Sequence, residues 1–104
     1  MSQHLIDIKK DNILYSIQSG WDKPLGQFYL VVIDDTNGDE VLLYSNIDDQ
    51  KAFGTGVEFS YFENVLNSFS ITLPKKMVEA INQDRGDNAV NRVVEYDSIN
   101  LDEE

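Results

Sequence analysis

Few residues of this chain are of a type and spacing to do chemistry. His4 is the single histidine among 104 residues and cysteine is absent, which excludes disulfides, thiol catalysis and thiolate zinc sites. A histidine base must be held rigidly within hydrogen-bond reach of its proton, and His4 lies near an N-terminus expected to be mobile. The run Asp34-Asp35-Thr36-Asn37-Gly38-Asp39-Glu40 is oxygen-rich like a calcium loop. Aligning Gly38 with that loop's glycine, however, puts Ile33 and Tyr44 where the first and last ligands must be carboxylates, so a solvated turn is the better reading. Gly54-Thr55-Gly56 lacks the third glycine of a dinucleotide loop, and no Gly-Lys-Ser/Thr element occurs. Neither a metal nor a cofactor is expected.

The densest polar cluster is Asp84-Arg85-Gly86-Asp87-Asn88 with Asn91-Arg92. Asp87 and Asn88 can satisfy backbone groups in a turn, and Arg92, if buried, needs a carboxylate partner. Asp22 or Asp84 with Arg85 or Arg92 is the nearest approach to an enzyme's residue set. Without a nucleophile or a metal cluster, no enzyme is expected. Trp21, in Gly20-Trp21-Asp22-Lys23-Pro24, is either a recognition anchor, since tryptophan is enriched in binding hot spots, or a lid on the core.

Charge is the most informative feature. The chain carries 19 acids and 8 bases, a net charge of −11. Two stretches without lysine or arginine hold all of the excess: Asp34, Asp35, Asp39, Glu40, Asp48 and Asp49 in the first, and Glu95, Asp97, Asp102, Glu103 and Glu104 in the second. Such a field repels nucleic acid and anionic membrane and attracts basic protein surfaces. The first stretch and Trp21 are therefore the candidate partner-binding residues. Whether the two stretches form one surface is left open by the sequence.

The elements that must position these residues follow from periodicity. Ile13 to Ser19 alternates as a strand does, and Gln27 to Ile33 reads as a continuous apolar strand, central and covered on both faces. Asn37-Gly38 before Glu40 to Tyr44 signals a type I′ hairpin with Ile33 facing Leu42 and Val31 facing Tyr44. That register would oppose Asp35 and Glu40, a repulsion that a wider loop would remove. Phe59, Phe62, Val65, Leu66 and Phe69 form a helical stripe, capped through Ser60/Glu63 or Thr55/Glu58. A second helix is marked by Pro74 at its start, Met77, Val78 and Ile81 on one side, and Gly86 just past its end. Val90 to Tyr96 alternates as a last strand, and His4 to Ile8 is another strand or a short arm.

The expected class is α+β: an antiparallel sheet of three to five strands with two helices packed on one face. Residues 1–97 should form a single compact domain, with 98–104 a frayed acidic tail. The longest apolar run, Phe28 to Ile33, falls far short of the roughly 20 residues that span a bilayer. With no signal-like segment and no cysteine, a cytoplasmic location is expected.

Gly20-Trp21-Asp22-x-Pro24-Leu25, Leu73-Pro74, Asp84-Arg85 and Asn88-x-x-Asn91-Arg92-Val93-Val94 together resemble a group of short uncharacterised bacterial proteins, from Ile13 to Tyr96. The resemblance implies a bacterial or mobile-element origin and one compact domain, attaches no activity, and does not extend to the acidic segment. The functional expectation is a small acidic, non-enzymatic protein that binds a basic protein partner, with inhibition by nucleic-acid mimicry as one form of it. It would not itself bind nucleic acid or membrane. The alternative is a regulatory or housekeeping module acting through the Trp21 loop, its charge serving only solubility.

Overall fold

The computed structural model describes residues 1–53, 56–87 and 91–102. The strands β1 (Ser2–Lys10), β2 (Ile13–Asp22), β3 (Gln27–Asp34) and β4 (Val41–Ser45) are followed by a 3₁₀ turn (Asn46–Asp48) and by the helices α1 (Phe59–Ser68) and α2 (Lys75–Asp87). Two short strands, β5 (Arg92–Glu95) and β6 (Ile99–Asn100), complete the order. The architecture is α+β, and the sheet has six strands in the order β4-β3-β2-β1-β5, with β6 also paired to β1. The first four are antiparallel, whereas β5 and β6 run parallel to β1. The sheet is therefore mixed, because both helices intervene between β4 and β5 and carry the chain to the opposite edge. None of the described helices is long and apolar enough to cross a membrane.

Alternation sorts the strands into two faces. Ile6, Ile8, Tyr15, Ile17, Phe28, Leu30 and Val32 point to one side and pack with Phe59, Phe62 and Leu66 of α1 and Met77 and Ile81 of α2. The helices thus cover one face only. On the other face Val31 and Ile33 stay half-buried, and β3 is next to the edge rather than central. Its unbroken apolar sequence therefore does not mean full burial on both sides.

The segment His4 to Ile8, left open as a strand or a short arm, belongs to the strand joining both halves of the sheet: β1 pairs with β2 on one side and with β5 and β6 on the other. The tail is likewise not frayed through residue 102. Ile99 pairs with Ile8, and the Leu101 N–H donates to the Lys9 carbonyl at 2.8 Å. Trp21 lies on β2, opposite Phe28, and not in a loop. Beside it Gly20 passes so close to Ser2 that a Cβ would come within 2.3 Å of the Ser2 carbonyl oxygen, which admits no side chain.

Turn chemistry also departs from expectation. The two-residue turn with left-handed φ at both positions joins β1 to β2, at Asp11 (φ 53°) and Asn12 (φ 64°). Between β3 and β4 the loop is wider, with positive φ at Gly38 and Glu40 rather than at Asn37-Gly38. The ladder ends at Asp34 opposite Val41, so Asp35 and Glu40 flank it and are not a ladder pair. Ile33 faces Leu42 as expected, but a bulge puts Tyr44 opposite Val32 instead of Val31. Helix α1 has Glu58 as its N-cap residue, with no side-chain cap bond, and Ser60 sits inside the helix; Thr55 lies outside the described residues. Helix α2 continues through Gly86 to Asp87.

Candidate functional site

The first acidic stretch surrounds one edge of the sheet. Asp34, Asp35, Asp39 and Glu40 lead into β4, and Asp48 and Asp49 follow it. The 3₁₀ turn folds back, so that Asp48 and Asp49 border a hollow of about 190 Å³ together with Leu42, Leu43, Tyr44 and Ser45. The six carboxylates are not equivalent. Asp34 accepts from the Thr36 hydroxyl at 2.5 Å and the Thr36 N–H at 3.0 Å, which holds its carboxyl below the usual range. Asp49 Oδ2 accepts from the Tyr61 hydroxyl at 2.7 Å and the Tyr44 hydroxyl at 2.8 Å. Those bonds lower the Asp49 pKa, the Tyr61 bond contributing most. Burial, with the Asp49 bond added, raises that of Tyr44. Asp34 and Asp49 are therefore engaged within the fold. Asp39, Glu40 and Asp48 are exposed and Asp35 is partly so, which leaves four carboxylates for outside contacts.

The second stretch belongs to the opposite edge. Glu95 ends β5, and Asp102 accepts from the N–H groups of Asp11 at 2.6 Å and Asn12 at 2.9 Å. Three strands separate β4 from β5, on the order of 19 Å at sheet spacing. The molecule has two acidic edges, not one acidic face. Glu103 and Glu104 lie outside the described residues.

Trp21 is half-buried and meets Phe28 edge to face, with ring centroids 5.1 Å apart. It also lines a cleft of about 350 Å³ with Gln27, Phe28, Val57, Glu58 and Arg85. Arg85 lies over the Phe28 ring at 5.1 Å and donates to Glu58 at 2.8 Å. Asp22 accepts from the Leu25 N–H at 3.3 Å and shapes the β2–β3 turn. Lid and cleft wall are thus both served by Trp21.

The polar cluster separates into pieces: Arg85 lines the Trp21 cleft, Asp22 lines the groove on the face the helices leave uncovered, Asn91 is exposed, and Asn88 lies outside the described residues. Only Asp84 and Arg92 come together, with Arg92 Nη1 3.1 Å from Asp84 Oδ1. The other oxygen of Asp84 is 2.5 Å from Nε2 of His4, whose Nδ1 is 2.8 Å from the Tyr96 hydroxyl. The chain Tyr96–His4–Asp84–Arg92 has the outline of a proton relay, and the solitary histidine gave no sign of it. Histidine and aspartate are fully buried, and burial raises the Tyr96 pKa, with Arg92 partly opposing it. Through these contacts the arrangement ties α2 and β5 to β1. Among the described residues no group of three His, Asp or Glu side chains could hold a metal ion.

A further apolar groove of about 330 Å³ lies on the face the helices leave uncovered, formed mainly by Met1, Leu25, Tyr29, Val31, Ile47 and Phe53. Comparison of the chain with protein-family models, with curated proteins and with solved structures finds no match.

Proposed function

We propose that this is a small acidic, non-catalytic binding protein that meets a basic protein partner with its β4 edge. One observation carries the reading: the exposed aliphatic residues Val41, Leu42 and Leu43 are bracketed by Asp39 and Glu40 at one end and by Asp48 at the other. Apolar contact supplies affinity there, while the carboxylates steer a Lys- or Arg-bearing surface and set its register. In the mimic form of the reading, Asp35, Asp39, Glu40 and Asp48 stand in for phosphates in a basic groove. A cytoplasmic, bacterial setting accords with it.

The test compares the protein with D35N/D39N/E40Q/D48N, each immobilised and exposed to bacterial lysate at low salt. Retention of one basic protein at one-to-one stoichiometry by the parent, lost with added salt and lost in the variant, is the expected result. Equal retention by both would overturn the reading. A second reading rests on the Trp21 cleft, where an aromatic wall and the Arg85–Glu58 pair offer mixed contacts. It is favoured if Trp21→Ala, and not the charge variant, removes the partner.

A further inference from the structure

A sheet edge presents unpaired N–H and C=O groups, and natural proteins guard such edges with charge, proline or very short strands. The two edges here differ in this respect. Strand β5 is four residues long and has Arg92 and Glu95 at its ends. Strand β4, Val-Leu-Leu-Tyr-Ser, contains neither charge nor proline and has no partner on its outer side among the described residues. Val41 and Leu42 are 55% and 52% exposed. Its one protective device is the bulge at the pairing with Val32 and Ile33.

The charges on either side of β4 select what can add to it. In an antiparallel pair with a second copy, Asp39 and Glu40 of each chain would approach Asp48 of the other; in a parallel pair each would approach its own counterpart. Like charges oppose both arrangements. A segment with Lys or Arg at the ends of the paired stretch meets attraction at both. The hollow beside the strand, walled by Leu42, Leu43 and Tyr44 with Asp48 at its rim, suits a side chain with an aliphatic stem and a cationic head.

Resting on the basic-partner reading, we infer that the outer edge of β4 takes up an extended segment of the partner as an added strand, with aliphatic residues at alternate positions and Lys or Arg at its ends. Main-chain hydrogen bonds provide the affinity of such an addition, and the side-chain sites provide the selectivity.

The probe is a blocked peptide of alternating valine and threonine with two lysines at each end. Two derivatives carry N-methyl groups on one or the other set of alternate amides, and a fourth peptide has glutamate in place of lysine. Binding is followed by backbone amide NMR and hydrogen exchange. The expected result is protection of amides within Val41–Ser45, with affinity reduced about tenfold or more when the inward-facing amides are methylated and lost in the glutamate peptide. If both methylated peptides bind like the parent, strand addition fails while the basic-partner reading survives. If the glutamate peptide binds equally, the choice of a basic segment fails. Absence of binding, shifts confined to the Trp21 cleft or the Leu25/Phe53 groove, or peptide-independent protection that grows with protein concentration would each overturn the inference.

Discussion

His4 Nε2 stands 2.5 Å from Asp84 Oδ2, both side chains fully buried, joining β1 to α2 across 80 positions of sequence. Arg92 and Tyr96 complete the satisfaction of this polar island at its two ends. Removing one member of a buried hydrogen-bonded polar pair leaves the other without compensation, whereas replacing both by apolar groups of similar size need cost little. Asp84→Leu and His4→Leu should each destabilise the fold by about 3 kcal/mol, and His4→Leu/Asp84→Leu by clearly less than the sum. Urea unfolding of the four proteins measures this coupling. Additive losses would show that the pair does not act as a unit.

Asp102 closes a different long-range link, taking the N–H groups of Asp11 and Asn12 in the turn that no glycine eases. The Asn12 bond, then the Asp11 bond, holds its pKa below the ordinary 3.8. A carboxyl lowered in the folded state contributes stability in full above its unfolded value and loses it as pH falls through the folded one. Asp34, held down by Thr36, and Asp49, held down by Tyr61 and Tyr44, act in the same direction. Stability should therefore drop as the pH is lowered below 3.8. Asp102→Asn should be less stable than the parent at neutral pH, with the gap closing in acid, as urea midpoints across that range would show.

Trp21 is the single tryptophan and covers Phe28 of the core edge to face. Being half-buried, it should cost about 2 kcal/mol when cut to alanine, less than a wholly enclosed aromatic, and Trp21→Phe should recover most of that. Thermal unfolding followed by circular dichroism decides the matter. An unchanged melting temperature for Trp21→Ala would assign the residue to recognition alone.

Just past the Phe69 C-cap of helix α1, Ser70 adopts φ 59°, while the N–H groups of Ser70 and Ile71 donate to the carbonyls of Asn67 and Leu66 at 2.9 and 3.0 Å. This closing motif usually employs glycine, because a Cβ is crowded in the left-handed region. Ser70→Gly should stabilise the protein by about 0.5 kcal/mol after the extra chain entropy of glycine is set against the relief. Calorimetry would register this as a rise of a few degrees in melting temperature, and a fall would show that the Ser70 side chain offsets its own strain.

The helices were legible because Phe59, Phe62 and Leu66, and Met77 and Ile81, repeat with the helical period and are the residues that became buried. The partition of charge was legible too, being a property of composition along the chain. His4 was misread for want of a local signal: one buried polar residue in a short alternating run looks like any terminal segment until Asp84 arrives from α2. The tail was misread for the same reason, since Ile99 and Asp102 take their places from the partners β1 offers them. Of the two connections the sequence allowed between β3 and β4, a tight turn at Asn37-Gly38 or a wider loop, the structure has the wider one, with positive φ at Gly38 and Glu40.

By itself the sequence settled the two helices with the stripes they bury, the strands β2 to β5, and the thiol chemistry that a cysteine-free chain cannot perform. Tertiary structure alone decided that β1 joins both halves of the sheet, that the acidic stretches occupy opposite edges, and that β4 is left with an uncharged outer side. Periodicity arises between residues a few positions apart, so it survives in the linear text. Strand order and the pairing of buried charges arise between residues tens of positions apart, and only the folded chain brings them within the few ångströms over which hydrogen bonds and packing act.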